Sequence, residues 1–156
     1  MKSQTRFSCA GVCAVFELDA RLAADTYFVG KTALCRLLLM NDARFPWLIL
    51  VPEVAGISEP FDLSEWNQAV LWQESMRLSR FLKAYYQADK LNIAALGNQV
   101  SQLHLHHIAR YHSDEAWPGP VWGIGTPEPY ATEEATRLIG SLREGLALPL
   151  SLTLTA

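Results

Sequence analysis

The sequence predicts an α+β fold in which an antiparallel sheet packs against a long helix. Three observations carry this. Two apolar runs, "CRLLLMND" and "FPWLILVPE", flank a short polar turn that begins at Asn41-Asp42, the pattern of a β-hairpin. Leu71, Leu78, Leu82 and Tyr85 then recur at helical spacing. Two further short runs follow, "LNIAAL" and "QLHLHHIA", and then a last helical pattern. The order strands, helix, strands, helix is that of an antiparallel sheet with helices beside it.

Taken in turn, Leu18 to Asp25 suits a short helix. "CRLLLMND" ends at its turn pair, and "FPWLILVPE" is bounded by Pro46 and Pro52, as a buried strand would be. Asp62 stands as the expected cap of the long helix, with Glu65 three residues on to return a hydrogen bond. That helix should run to about Ala88, with Gln73, Arg77, Arg80 and Gln87 on its polar side. The loop "GNQVS" separates the next two strands, and "AWPGPVWGIGTPEP" is too rich in Gly and Pro to be regular. The last helix starts near Thr132 with Glu133 and Glu134 in its first turn, where the helix dipole favours acid. Ala135, Leu138, Leu142 and Leu146 form its apolar side. No repeat or linker divides the chain, so residues 1–146 read as one domain and 147–156 as a tail without an assigned role.

Composition narrows the partners. With 156 residues, half of them hydrophobic and 19% charged, the chain can bury an ordinary core. A net charge of −3 gives no basic footprint for nucleic acid and no polybasic surface for a membrane, and no apolar run reaches the ~18 residues of a span. A small ligand is the expected partner. Cys9, Cys13 and Cys35 are an odd set without a second pair to complete a zinc site, and are expected to be reduced thiols in a cytoplasmic protein.

Three of the four histidines, His104, His106 and His107, fall within four positions. If this segment is a strand, Gln102, His104, His106 and Ile108 share one face, and Leu103, Leu105, His107 and Ala109 the other. The leucines mark the second face as the one under the long helix. The first face then displays two imidazoles and an amide in a row. Such a row is either a set of structural histidines that each have a partner, or half of a zinc site needing a third ligand such as His112, Asp42, Asp114 or a cysteine, or a nucleophilic centre. A neutral imidazole, with a pKa near ~6.5, can attack phosphorus at neutral pH.

"QLHLHHI" resembles the signature of the histidine triad (HIT) superfamily, in which histidine alternates with apolar residues as H-φ-H-φ-H-φ-φ. "LCRLLLMNDARFPWLILVPE", "LNIAALGNQVSQLHLHHIAR" and "DEAWPGPVWG" extend the resemblance over about Phe16 to Gly123, toward bacterial HIT-like hydrolases of the diadenosine tetraphosphate hydrolase-like kind. The resemblance implies a half-barrel with a five-stranded antiparallel sheet, usually a homodimer. It places His104 on the central histidine, the nucleophile toward an α-phosphorus, and His106 on the third, near the phosphate. Gln102 falls on the first triad position, and Trp47 where many members carry a further histidine. Asn98 and Gln99 match positions that bind phosphate oxygens, Trp117 lies in a segment resembling one near some active sites, and Asn41 joins the expected substrate contacts. His107 occupies an apolar position of the pattern and is expected to be structural or partly exposed.

The implied chemistry is hydrolysis or transfer of a nucleotide at the α-phosphorus of a nucleoside polyphosphate, such as a dinucleoside polyphosphate, or of a phosphoramidate, through a nucleotidyl-histidine, with catalytic His104, His106 and Gln102, no metal and no cofactor. The runner-up is a nucleotide-binding member with little turnover. Gln102 cannot exchange a proton near neutrality, so a histidine installed there would be expected to add an acid and raise turnover on poor leaving groups. A uridylyltransferase branch also carries a glutamine in its triad, but at the third position.

Overall fold

A computed structural model describes residues 15–148. Cys9, Cys13 and most of the expected tail lie outside the described residues. The elements are α1 (Ala20–Asp25), β1 (Thr26–Lys31), β2 (Cys35–Met40), β3 (Trp47–Pro52), α2 (Glu65–Tyr85), β4 (Lys90–Ala94), β5 (Leu105–Arg110) and α3 (Thr132–Leu146). The strands form one antiparallel sheet in the order β1-β2-β3-β5-β4. This is the expected α+β architecture, with its five strands, long helix and C-terminal helix.

The pleat sorts the sheet's side chains into two cores. Leu37 and Leu39 of β2, Leu48 and Leu50 of β3, and Leu105 of β5 join Leu71, Leu78 and Leu82 of α2 and Leu142 and Leu146 of α3. Leu38, Trp47, Ile49 and Ile108 point the other way, toward Leu22 of α1 and Val121 in the segment after β5. Each fully buried leucine contributes roughly 1.5–3 kcal/mol. β3 is buried along its whole length because β2 and β5 flank it and both faces are covered.

Three expectations are corrected. β1 was not evident in "TYFVGK": it is an edge strand with a mixed burial pattern and a register shift between Phe28 and Gly30. Ser64, not Asp62, caps α2, its hydroxyl accepting from the Asn67 amide at 3.2 Å. Asp62 closes a 3-10 turn at Pro60–Asp62 instead, accepting from the Ser58 and Glu59 amides. The helix ends at Tyr85 rather than Ala88, because Gln87 takes a left-handed backbone with φ 52°.

The buried face of α2 is also more polar than a leucine row suggests. Glu74, Ser75 and Ser79 are buried on it, and each has a partner. Glu74 accepts from Thr32 Oγ1 at 2.6 Å and from the Leu34 amide at 3.0 Å. Ser79 donates to the Ser75 carbonyl. α3 seats closely on α2 because Gly145 faces Phe81: a Cβ there would stand 2.6 Å from the Phe81 ring.

Candidate active site

Strand β5 begins at Leu105, so Gln102 and His104 belong to the turn that leads into it, not to the strand. The strict alternation expected from Gln102 onward therefore starts later. It holds where it matters: Leu105 and His107 face α2, while His106 and Ile108 face away from it. The rings of His104 and His106 lie edge to face, 4.7 Å apart.

The two imidazoles are set in different states by their partners. Nδ1 of His104 lies 2.7 Å from the Gln102 carbonyl oxygen. A carbonyl only accepts, so Nδ1 carries a proton, and in the neutral ring Nε2 keeps its lone pair. At His106 the relation is reversed. The Trp47 indole N–H, which can only donate, points at His106 Nδ1 across 2.9 Å. Nδ1 is therefore the acceptor and Nε2 bears the proton. That Nε2 is the one buried side-chain polar atom among the described residues without a hydrogen-bond partner. Burial above all, and then the neighbouring His104, pushes the His106 imidazole down to about 3, against the pull of the Leu96 carbonyl.

His107 is fully buried, not partly exposed. Its Nε2 meets Ser75 Oγ at 2.7 Å and its Nδ1 donates to the Leu105 carbonyl at 3.1 Å. Burial pushes it down to about 4. It fastens β5 to α2, which is why a polar residue can stand at an apolar position of the pattern.

Both amide atoms of Gln102 are engaged with the chain before α1. Oε1 accepts from the Asp19 amide at 3.0 Å and Nε2 donates to the Glu17 carbonyl at 2.7 Å. Asp19 in turn caps α1 by accepting from the Arg21 amide. The glutamine thus latches the segment that brings Arg21, Leu22 and Asp25 to the site.

His104 and His106 line a cleft of about 300 Å³ together with Trp47, Asn98, Gln99, Trp122 and the α1 residues. An adjoining cleft of about 490 Å³ shares Asp25, Met40, Trp47, Trp122 and Gly123 and continues to Asn41, Asp42 and Arg44. The structure therefore brings His104, His106, Trp47, Asn98, Gln99 and Asn41 to one connected cleft. Gly97, in the preceding loop, lets that loop pass close to His104: a Cβ there would fall 2.9 Å from the Val100 carbonyl and 3.7 Å from the His104 ring. A third, apolar cavity of about 180 Å³ lies on the α2 face, but its buried carboxylate, Glu74, is already engaged.

Trp117 is not at the cleft. It packs against His112 at 4.6 Å and beneath the Arg110 guanidinium. The tryptophan of this segment that lines the site, beside Trp47, is Trp122, whose ring stands 5.4 Å from Trp47 and 5.2 Å from His106. Sequence reasoning missed it, although "PVWG" lies in the same quoted segment. Arg44 fixes the loop that carries it, pairing with Asp42 and Glu115 and donating to the Ile124 carbonyl. Burial opposes ionisation of Asp42, but hydrogen bonds from Arg44 and from the Arg44 and Glu128 amides outweigh it and hold the carboxyl below its usual range. No group of three or more potential metal ligands stands together among the described residues. No helix among the described residues is long and apolar enough to cross a membrane.

A HIT domain model matches residues 21–113. A histidine triad protein from Marinobacter aquaeolei VT8 is 49% identical, with a TM-score of 0.84 over 86% of this chain and 98% of that one. One from Sinorhizobium meliloti 1021 is 48% identical, with a TM-score of 0.81 over 83% of this chain and 96% of that one. A third, from Bradyrhizobium japonicum, is 45% identical, with a TM-score of 0.82 over 85% and 99%. Among curated proteins none matches. With the domain match spanning more than half of the 156 residues and these likenesses covering most of each chain, the protein belongs to the histidine triad family.

Proposed function

We propose that the protein is a nucleotide hydrolase or nucleotidyl transferase that acts at the α-phosphorus of a dinucleoside polyphosphate or related nucleotide. The observation that carries this reading is the bond from His104 Nδ1 to the Gln102 carbonyl, which in the neutral ring leaves the Nε2 lone pair in a cleft beside the buried His106 Nε2–H, an N–H that only the Leu96 carbonyl approaches and that makes no full hydrogen bond within the protein. In the first step the Nε2 lone pair forms an N–P bond and the bond from phosphorus to the leaving oxygen breaks, its electron pair departing with that oxygen. The imidazolium so formed keeps its Nδ1–H on the Gln102 carbonyl. Water or another acceptor then attacks phosphorus, the N–P bond returns its electrons to Nε2, and the acceptor's proton passes to solvent.

Within this reading His106 Nε2–H holds a phosphoryl oxygen, and Asn98 and Gln99 supply further donors at the cleft edge. Gln102 contributes its carbonyl to His104 and its amide to the latch, in place of direct contact with phosphate. Trp47 and Trp122 wall the site, and Asn41 lies at the far end of the adjoining cleft. The protein is further proposed to act as a homodimer in the cytoplasm. Trp66 and Trp72 on α2 are 65% and 58% exposed, which suits an interface. Tyr86, just past the end of α2, is half-buried against the core and does not extend this patch.

A screen of dinucleoside polyphosphates with wild type and His104→Ala in parallel tests the reading. His104→Ala should lose turnover by orders of magnitude while still binding nucleotide, since the lost interaction forms in the transition state. A base quench should trap one nucleoside monophosphate on the peptide containing His104. Turnover without that adduct, and with inversion at a chiral phosphorus, rejects the two-step path.

A further inference from the structure

Most of the polar groups around the cleft are accounted for by their partners, and what they cannot do is as informative as what they can. Trp47 is the residue that settles this. An indole N–H has no lone pair to offer, so while it points at His106 Nδ1 that nitrogen cannot take a proton without breaking a 2.9 Å bond and setting N–H against N–H. The bond is buried between strands β3 and β5, with Trp47 only 6% and His106 only 3% exposed, so water cannot stand in for the lost partner.

We infer that Trp47 holds His106 as a permanently neutral Nε2–H donor, and that the cleft in consequence has no side chain able to protonate a departing group, so that its substrates are nucleotides whose leaving group departs as a stable anion. This rests on the function proposed above.

The remaining candidates for an acid fail one by one. His104 is the attacking base, and its only proton is bound to the Gln102 carbonyl. Gln102 itself does not titrate. Asp25, across the cleft on α1, is a carboxylate paired with Arg21 at 3.7 Å. Asp42, in the adjoining cleft, is held ionised by Arg44. His107 faces the opposite side of the sheet, bonded to Ser75. Glu59 is an exposed carboxylate in a pocket that shares Asn98 and His104 with the cleft but neither Trp47 nor His106, and β3, β4 and the loop carrying Trp122 add no titratable side chain against His106. His106 and His104 thus present a matched pair, one N–H and one lone pair, 4.7 Å apart between ring centres. The pair can stabilise negative charge on a phosphoryl oxygen and attack its phosphorus. It cannot give a proton to an amine or an alkoxide. A phosphate or polyphosphate leaving group needs none.

Two measurements on the full-length protein test this. In ¹⁵N-histidine-labelled wild type, long-range nitrogen–proton correlation should show His106 protonated at Nε2 and unchanged over roughly pH 5 to 8, the range in which an ordinary imidazole titrates. In Trp47→Phe, which takes the donor from Nδ1 while the ring stays buried, the same ring should populate the Nδ1–H tautomer as well. A wild-type His106 protonated at Nδ1, or titrating near neutrality, overturns the inference, and this arm needs no turnover. In the second arm, adenylate esters of graded leaving-group acidity and an adenosine phosphoramidate are compared. The rate should fall steeply as the leaving group becomes more basic, with the phosphoramidate at least ~10²-fold slower than a dinucleoside polyphosphate, the low end of what an acid contributes. A flat dependence, or a phosphoramidate turned over as fast, overturns it. If no ester turns over while His106 behaves as expected, the proposed function fails and the donor state of His106 stands.

Discussion

The carbonyl oxygen of Gln102 accepts a 2.7 Å hydrogen bond from Nδ1 of His104, while the side chain of that same glutamine grips the backbone at Glu17 and Asp19. One residue thereby orients His104 with its main chain and closes the α1 side of the cleft with its amide. The pairing is a donor and an acceptor on one planar group, matched to a peptide N–H and C=O.

Gln102→His is therefore expected to lower turnover, reversing the expectation drawn from the triad pattern alone. An imidazole cannot serve both backbone groups with the geometry of an amide. Gln102→Ala should cost about 1–3 kcal/mol of local stability, two hydrogen bonds at roughly 0.5–1.5 kcal/mol each. Faster amide exchange at Asp19, alongside reduced kcat/KM, is the measured signature. A Gln102→His variant more active than wild type would show that the latch is dispensable.

Stability should depend on pH through His106 and His107. Both folded values, about 3 and about 4, lie below the ordinary 6.5. As pH falls below that ordinary value the unfolded chain binds protons that the folded chain refuses. The stabilisation is thus complete above about pH 6.5 and is lost progressively toward pH 4, on the order of 1.4 kcal/mol per pH unit for each ring. Urea denaturation at pH 7 and pH 5 measures the loss. The double variant Ser75→Ala, His107→Leu removes one ring without leaving a buried hydroxyl unpaired, and should about halve the slope.

Arg44→Met should loosen the wall that carries Trp122. The substitution removes the partner of buried Asp42 and the donor to the Ile124 carbonyl. Breaking a buried pair on one side costs about 3–5 kcal/mol. If the wall serves binding rather than the chemical step, KM for nucleotide should rise more than kcat falls, a split that steady-state kinetics resolves.

The exposed indoles of α2 give a test of assembly. Sedimentation equilibrium at micromolar concentration should return a dimer mass for wild type. Trp66→Glu with Trp72→Lys should return a monomer with unchanged helix content by circular dichroism. Should the double variant sediment as a dimer, the interface lies elsewhere.

The elements most readable in the sequence were those with a single environment. β3 could be read because both its faces are buried, and the hairpin with β2 because a polar turn separates two apolar runs. β1 escaped notice because an edge strand with Gly30 and a register shift carries no clean alternation. The cap of α2 was misplaced by two residues because Asp62 and Ser64 are both good caps, and only the turn at Pro60 decides between them. At the site, the order of His104 and His106 announced chemistry, but their protonation states depend on a backbone carbonyl and on a tryptophan 59 positions away. No local pattern encodes such a partner. The same holds for Trp122, which enters the cleft only because Arg44 ties its loop down.

Strand β5 meets β3 only after the chain has traversed the whole of α2 and β4, so the contact between Trp47 and His106 closes a long loop. Loop-closure entropy must be spent before that contact returns anything, which puts the pairing late in folding. The β2–β3 hairpin and the helix can form early from neighbours in sequence, whereas the cleft exists only once β5 has docked. Nucleotide can therefore hold the finished fold together but cannot guide the chain toward it: added ligand should slow unfolding and leave the refolding rate unchanged.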